Sequence, residues 1–119
     1  MRVTGINPNL RVADIAAARD FYTDYLGLSV EEFNMGWVAR YISPGGKASV
    51  QLVTGDATAP HDSVISVHVG ASVDEAYEEA KRRGYEIVYP LTDEAWGPRR
   101  FFVRAPDGNV INMVSHSDE

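Results

Sequence analysis

Apolar and polar residues alternate along eight short stretches of this chain, and two longer stretches carry apolar residues at helical spacing. Alternation predicts strands with one buried face, and a repeat near 3.6 residues predicts amphipathic helices. The elements follow in the order strand, helix, three strands, and then the same again. The first six predicted strands are residues 4–12, 28–33, 37–42, 48–53, 64–69 and 86–89, and the last two lie within 95–113.

Residues suited to helix ends flank both predicted helices. Asp14 is a predicted N-cap, and Gly27 follows the last turn of the first helix, where a positive φ is needed. The run 72–75 reads as a capping box that starts the second helix, which Gly84 ends. Between the last two strands, the sequence 106–109 (Pro-Asp-Gly-Asn) predicts a tight hairpin turn.

The two halves of the chain repeat one pattern. Gly27 matches Gly84 at an offset of 57 residues. At the same offset, apolar residues match apolar residues: Leu10 with Val67, Val12 with Val69 and Val30 with Ile87. After a small insertion, Trp37 matches Trp96 and Gln51 matches Asn112. The sequence therefore predicts an α+β fold with two βαβββ modules, about 1–55 and 62–119, joined by a linker near 54–62.

Alternation assigns each predicted sheet an apolar and a polar face. The apolar face is expected to pack against the helices; it contains Leu10, Val12, Val50, Leu52, Ile65, Val67, Ile111 and Met113. The opposite face contains Asn7, Asn9, Gln51, Ser66, His68 and Asn112. A curved mixed sheet with a polar, aromatic-lined cleft is the expected result, and such a cleft is a usual small-molecule site.

Composition narrows the class of protein. A chain of 119 residues supports one domain with its own core, and no apolar run approaches the ~18 residues that span a bilayer. The formal charge of −6 disfavours nucleic acid and mildly favours cationic ligands. The absence of cysteine fits a reducing compartment, so a cytoplasmic location is expected, without membrane partners.

Several motifs carry a family resemblance. The doubled βαβββ unit, the Leu10-x-Val12-x-Asp14 opening, the pairs 21–22 and 26–27, and Trp96-Gly97 running to the 106–109 turn resemble the vicinal oxygen chelate superfamily. That group includes glyoxalase I, extradiol dioxygenases, fosfomycin-resistance enzymes and bleomycin-resistance proteins. The resemblance implies this fold for nearly the whole chain, and it implies a homodimer.

The resemblance also implies four metal-ligand positions. They correspond here to Asn7, Gln51, Val64 and Asn112, where the family's metalloenzymes use His or Glu. Neutral amides are weak ligands and valine has no donor atom. We therefore expect no metal and no other cofactor. The amides are either a hydrogen-bonded polar layer or hydrogen-bonding groups for a ligand.

No catalytic residue is identified. His61 and His116 are expected to be exposed, and His68 has no acidic neighbour at strand spacing to orient it as a base. Arg100 either binds an anionic ligand group or pairs with Glu94, and pairing is favoured. The predicted cleft rim is aromatic; it contains Trp37, Tyr41, Trp96 and Phe102.

The chain resembles the metal-free, drug-sequestering branch of the superfamily, such as bleomycin- and mitomycin-binding proteins. That resemblance implies the leading hypothesis, a metal-free protein that binds a small molecule, such as an aromatic or cationic antibiotic, and leaves it unaltered. The alternatives are a metal-dependent lyase or dioxygenase of the glyoxalase type, and a structural or regulatory domain whose cleft is filled by its own side chains. The predicted ligand-binding residues are Asn7, Trp37, Tyr41, Gln51, His68, Trp96, Arg100, Phe102 and Asn112.

Overall fold

The computed structural model describes residues 1–116, in which eight strands and two α-helices form a mixed α+β fold. The chain divides into two compact units. One contains residues 7–57; the other contains Met1–Ile6 and the chain from Thr58 onward. The predicted linker therefore ends within the second unit, and the first six residues belong there too. Within the described residues, no helix is long and apolar enough to cross a membrane.

The unit of residues 7–57 holds a four-stranded sheet and a short helix. Its strands stand in the order β2-β3-β4-β1, with β1 parallel to β4 and the other pairs antiparallel. The elements are β1 (Gly5–Arg11, whose first two residues belong to the other unit), α1 (Ile15–Asp20), β2 (Val30–Asn34), β3 (Val38–Ile42) and β4 (Ser49–Val53).

The unit that starts at Thr58 has the same arrangement. Its strands stand in the order β6-β7-β8-β5, with β5 parallel to β8 and the other pairs antiparallel. The elements are β5 (Ile65–His68), α2 (Val73–Arg82), β6 (Glu86–Asp93), β7 (Arg99–Arg104) and β8 (Val110–Ser115). Strand β6 is longer than the predicted 86–89 because it continues through Pro90 to Asp93.

The start of the first helix is as predicted, but its second half is not a regular α-helix. Asp14 accepts a hydrogen bond from the Ala17 amide at 3.2 Å, which confirms the N-cap. After Asp20 the backbone widens into a π-helical turn, Phe21–Tyr25, in which Leu26 N–H donates to the Phe21 carbonyl at 3.0 Å. Gly27 then adopts φ +75° and ends the helix.

The predicted capping box at the start of α2 is wrong. A 3₁₀ turn, Gly70–Ser72, precedes the helix, and Ser72 has φ −89° and ψ 10° rather than the extended N-cap conformation. Its hydroxyl instead donates to the Val69 carbonyl at 2.6 Å. The Glu75 carboxylate contacts the N-terminal ammonium at 3.5 Å.

Each helix covers the apolar face of its own sheet. Ile15 of α1 packs against β3 and β4, and α2 contributes Val73, Ala76 and Ala80 to a core with β5, β7 and β8. The predicted core residues Val50, Leu52, Val67 and Met113 are buried. The prediction that Leu10 belongs to the core is wrong, because it is 38% exposed.

Candidate functional site: the polar sheet faces

A continuous row of polar side chains crosses the sheet of residues 7–57. Asn9 and Arg40 both stand opposite Gln51 in the strand register. Gln51 Nε2 donates to Asn9 Oδ1 at 2.6 Å, and Arg40 Nε donates to Gln51 Oε1 at 2.8 Å. Arg40 Nη1 completes the row with a bond to Glu32 Oε1 at 2.6 Å. We call Asn9, Gln51, Arg40 and Glu32 the polar row.

The guanidinium of Arg40 is the charged centre of this row. Its side chain is 13% exposed, and its Cζ lies 4.8 Å from the centroid of the Phe33 ring. Each hydrogen bond and the ring contact restrict the guanidinium plane. The row therefore presents a cation in a defined orientation.

Asn7 lies beside the row, on the same face of β1 as Asn9. It is 7% exposed, and its Nδ2 donates to the Ser49 hydroxyl of β4. Asn7, Asn9 and Gln51 thus all make side-chain hydrogen bonds on the predicted polar face, as expected for polar groups with little access to water.

Tyr41 lies on the opposite, helix-covered face. It is fully buried with Ile15, Val50 and Leu52, so the prediction that it lies at the rim of a ligand site is wrong. The alternation along β3 explains this, since Arg40 already takes the polar face. Burial and a 2.8 Å hydrogen bond to Glu31 raise the pKa of Tyr41 to about 12. The same hydrogen bond is the main cause that lowers the pKa of Glu31.

Trp37 immediately precedes β3 and is half-buried. Its carbonyl accepts a hydrogen bond from the Thr54 amide at 2.9 Å, next to the end of β4. The structure therefore fixes the backbone of Trp37 beside this sheet, and the position of its ring at the rim of a ligand site stays a prediction.

In the other unit, Ser66 and Asn112 form the corresponding pair. They face each other in the β5/β8 register, and Asn112 Nδ2 donates to the Ser66 hydroxyl at 3.0 Å. Asn112 is 7% exposed, and its Oδ1 has no hydrogen-bond partner. Within residues 1–116 it is the one buried side-chain polar atom in that state. An unsatisfied buried acceptor is costly, so this atom is suited to receive a donor from a ligand or a water.

Arg100 pairs with Glu94, as favoured from the sequence. Arg100 Nε lies 2.7 Å from Glu94 Oε2, and the side chains are 2% and 4% exposed. The Thr58 hydroxyl lies 2.7 Å from the same carboxylate oxygen and 2.8 Å from Arg100 Nη2. The Tyr89 hydroxyl lies 3.1 Å from Glu94 Oε1. The buried charges are thereby surrounded by hydrogen-bonding partners.

Three aromatic rings surround this ion pair. The Arg100 Cζ lies 4.9 Å from the Phe102 centroid, 5.0 Å from Trp96 and 5.6 Å from Tyr89. Trp96 is half-buried and donates from Nε1 to the Thr58 hydroxyl at 3.4 Å. Phe102 is fully buried and packs with Ala59, so its predicted position at a cleft rim is wrong. The protein's own side chains and the 58–59 segment fill this face.

His68 is buried rather than presented to solvent. It is 6% exposed, and its ring stacks on His116 at a centroid distance of 5.4 Å. His116 is partly buried and not fully exposed as predicted, whereas His61 is exposed as expected. Within the described residues, no group of three or more His, Cys, Asp or Glu side chains could hold a metal ion.

The four positions implied as metal ligands do not fit a divalent cation. The amide oxygen of Gln51 already accepts from a guanidinium, whose positive charge would repel a metal ion there. Asn7 is bonded to Ser49, Val64 has no donor atom, and Asn112 offers a single neutral oxygen. Catalytic metals need several imidazole, carboxylate or thiolate ligands.

Sequence reasoning missed Arg40 and Thr58 as site residues. The signal for Arg40 was present, because it alternates with Tyr41 and so shares a face with Gln51 once the strands pair. No signal placed Thr58 beside Glu94 and Arg100, since it lies in an irregular segment 36 and 42 residues away in the chain.

Comparison with known proteins identifies one family and several solved structures of similar fold. The model of the Glyoxalase/Bleomycin resistance protein/Dioxygenase superfamily matches residues 4–113. An uncharacterized protein from Methanosarcina mazei is 26% identical, with a TM-score of 0.72 and coverage of 100% of this chain and 97% of that one. Methylmalonyl-CoA epimerase from Mycobacterium tuberculosis is 25% identical, with a TM-score of 0.68 and coverage of 97% and 89%.

A structure described as NAD-dependent benzaldehyde dehydrogenase from Legionella pneumophila has a TM-score of 0.77 and covers 95% of this chain and all of its own. At 18% identity it shows the shared fold alone. A search of curated proteins gives no match.

Proposed function

We propose, from the premise that this chain belongs to the Glyoxalase/Bleomycin resistance protein/Dioxygenase superfamily, that it binds a small molecule without a metal ion and does not alter it. The ligand class we propose is an aromatic or cationic antibiotic, as in the drug-sequestering members that the sequence resembles. The binding surface we assign is the polar face of residues 7–57, which carries the polar row.

The hydrogen bond from Arg40 Nε to Gln51 Oε1 carries this proposal. The Gln51 amide oxygen, at one of the implied metal positions, is hydrogen-bonded to the Arg40 cation. This arrangement supports hydrogen bonding to a ligand on this face rather than coordination of a metal. The Phe33 ring beside Arg40 adds apolar surface next to polar groups, a combination common in small-molecule sites.

Only the unit of residues 7–57 supports this assignment strongly. On the polar sheet face of the unit that starts at Thr58, Arg100 is paired with Glu94, and Phe102 packs against Ala59. That face matches the expectation of a surface filled by the protein's own side chains. Its contribution to a ligand is limited to Asn112 Oδ1, which has no partner.

Tryptophan fluorescence tests the proposal, because the chain has two tryptophans. We expect a saturable change on titration with a bleomycin-type drug or with mitomycin, and recovery of unaltered drug by mass spectrometry. The variant Gln51→Ala removes the amide at the centre of the polar row and should weaken binding, whereas Glu86→Gln, at an exposed ion pair, should not. No saturable change with either drug up to high micromolar concentration would contradict a drug-binding role.

A metal-dependent enzyme of the glyoxalase type is the second candidate. The 25% identity to a structure named methylmalonyl-CoA epimerase, over 97% of this chain, favours it. Elemental analysis of protein purified without chelator separates the two functions. One bound Zn, Ni, Fe or Mn per chain would support the enzyme and contradict the metal-free proposal.

The proposal includes assembly as a homodimer. Its support is a set of exposed apolar side chains in and just after the π-helical turn: Phe21, Tyr25 and Leu26 are 55%, 77% and 50% exposed. Contiguous exposed apolar surface commonly marks an interface. Sedimentation equilibrium of the wild-type chain and of Tyr25→Ser tests this, and a monomer at all concentrations would contradict it.

A further inference from the structure

We propose that Arg40 is the anchor for a carboxylate on the ligand, so that the ligand class of this protein includes aromatic carboxylic acids. This inference rests on the proposed function, because it assigns chemistry to the same polar face. It adds a requirement that the family resemblance does not give: the ligand presents an oxygen anion to a guanidinium.

The hydrogen-bond capacity of Arg40 is only partly used. A guanidinium has five N–H groups. One from Nε goes to Gln51 and one from Nη1 goes to Glu32, and within residues 1–116 the other three have no acceptor. Both N–H groups of Nη2 belong to that remainder. A planar carboxylate matches such a set of donors in geometry and in charge.

The two N–H groups of Arg40 Nη2 can be reached from solvent. Among side-chain polar atoms of the described residues, Asn112 Oδ1 is the one that is both buried and without a partner. Because Arg40 Nη2 has no partner either, it must have access to solvent. The side chain as a whole is nevertheless only 13% exposed. A ligand group that reaches Nη2 therefore meets a partly desolvated cation, where a charge-assisted hydrogen bond is stronger than in water.

The orientation of the guanidinium is set before any ligand arrives. Gln51 receives Arg40 Nε and is itself held by Asn9. Phe33 supports the guanidinium through its ring. A preorganised cation loses little conformational freedom on binding, which favours affinity.

Glu32 competes weakly for the same cation. Its side chain is 43% exposed, and it makes one hydrogen bond to Nη1. Exposed ion pairs of this kind contribute little. Its negative charge still opposes an incoming carboxylate, so replacing it by Gln should strengthen carboxylate binding.

Arg100 provides an internal comparison. It also lies on a polar sheet face, but Glu94 holds it at 2.7 Å and its side chain is 2% exposed. There the protein itself supplies the carboxylate. Arg40 also has a carboxylate from the protein, that of Glu32, but this partner is 43% exposed and contacts only Nη1, so a second carboxylate from a ligand can bind at Nη2.

The probes for the test are 2-naphthoate and its neutral analogue 2-naphthamide. Binding is followed by the NMR resonance of the Arg40 Nε–H group in the wild-type protein and by tryptophan fluorescence. We expect naphthoate to shift the Nε–H resonance and to bind at least about tenfold more tightly than the amide, the ratio expected for one charge-assisted hydrogen bond.

Four variants complete the test. Arg40→Gln should weaken naphthoate binding about tenfold or more, Arg40→Lys should weaken it less, and Glu32→Gln should strengthen it a few-fold, as roughly expected for a removed like charge. None of these should change naphthamide binding comparably. Arg104→Gln, at a partly exposed ion pair with Glu86, is the matched control and should bind as the wild type does.

The inference is overturned if naphthoate binds Arg40→Gln as tightly as wild type, if it binds no better than naphthamide, or if it does not bind at low millimolar concentration. Thermal unfolding of each variant separates loss of binding from loss of folding, and the Nε–H shift in the wild type does not depend on any variant. Drug binding that is unaffected by Arg40→Gln would leave the proposed function standing while this inference fails.

Discussion

Arg100 Nε lies 2.7 Å from Glu94 Oε2, and both side chains are almost entirely removed from solvent. Removing two charges from water costs free energy, which the pair recovers only with close geometry and further hydrogen bonds. Thr58 and Tyr89 supply those bonds, and three aromatic rings pack around the guanidinium. The polar face that starts at Thr58 is therefore a closed structural cluster, whereas the polar row of the other unit keeps donors accessible.

Breaking the buried pair should strongly destabilise the protein. Glu94→Gln removes the carboxylate charge that lies 2.7 Å from the buried Arg100 guanidinium, and we expect the free energy of unfolding to fall by about 3–5 kcal/mol. Urea denaturation followed by circular dichroism measures this. Glu86→Gln, at an exposed pair with Arg104, is the control and should cost below about 1 kcal/mol. An equal loss of unfolding free energy in the two variants would contradict a stabilising role for the buried pair.

Tyr41 should make the protein sensitive to alkali. Its pKa in the fold is about 12 against an ordinary 10.0, so the unfolded chain loses this proton first as pH rises. The resulting stabilisation, on the order of 2–3 kcal/mol, is fully present below pH ~10 and is lost as pH rises through ~12.

Urea unfolding of the wild type and of Tyr41→Phe at about pH 9 and about pH 11 measures this dependence. The variant should be less stable at the lower pH because it lacks the bond to Glu31, and it should lose less stability on going to the higher pH. Tyr25→Phe, at a residue 77% exposed, is the control. An unchanged alkaline loss in Tyr41→Phe would contradict the assignment.

The unsatisfied amide oxygen of Asn112 predicts an unusual tolerance to apolar replacement. The double change Ser66→Ala and Asn112→Leu removes both partners of one buried hydrogen bond and also the orphan acceptor. We expect this double variant to be more stable than Ser66→Ala alone, because both lose the Ser66 hydroxyl but only the single variant keeps an unpaired buried amide. Ser66→Ala alone leaves Asn112 Nδ2 without its partner and should cost about 1–3 kcal/mol. A double variant less stable than the single one would contradict this.

Chelation should leave the protein unchanged. Because Gln51 is bonded to Arg40 and Val64 has no donor atom, we expect EDTA to alter neither the unfolding temperature nor drug binding, and added Zn or Ni to give no stabilisation. Differential scanning calorimetry measures both. A rise in unfolding temperature at low micromolar metal would contradict the metal-free proposal.

Much of the local structure could be predicted from the sequence. The Gly27 and Gly84 helix ends both have positive φ, and Gly108 does so in the predicted hairpin turn, since few residues other than glycine adopt that backbone. Strand alternation also put Gln51 and Asn112 on polar faces correctly. The capping box failed because Ser72 lies in a 3₁₀ turn, which sequence spacing alone does not reveal.

The site was harder to predict, because hydrogen-bond partners depend on register and on neighbouring elements. Tyr41 was assigned to a rim as an aromatic residue, but its parity along β3 puts it under α1. Trp96 and Arg100 were identified, yet their partner Thr58 comes from a segment without regular structure. Aromatic character indicated binding surface where the fold uses the rings for packing.

The sequence by itself determined the order of strands and helices, their glycine ends and the polar and apolar face of each strand, because these follow from local backbone preference and side-chain alternation. Only the tertiary structure decided which polar groups meet. Arg40 reaches Gln51 and Glu32, while Arg100 is enclosed by Glu94. Those contacts depend on strand register and on a covering segment distant in the chain, and they decide which guanidinium is left accessible to a ligand.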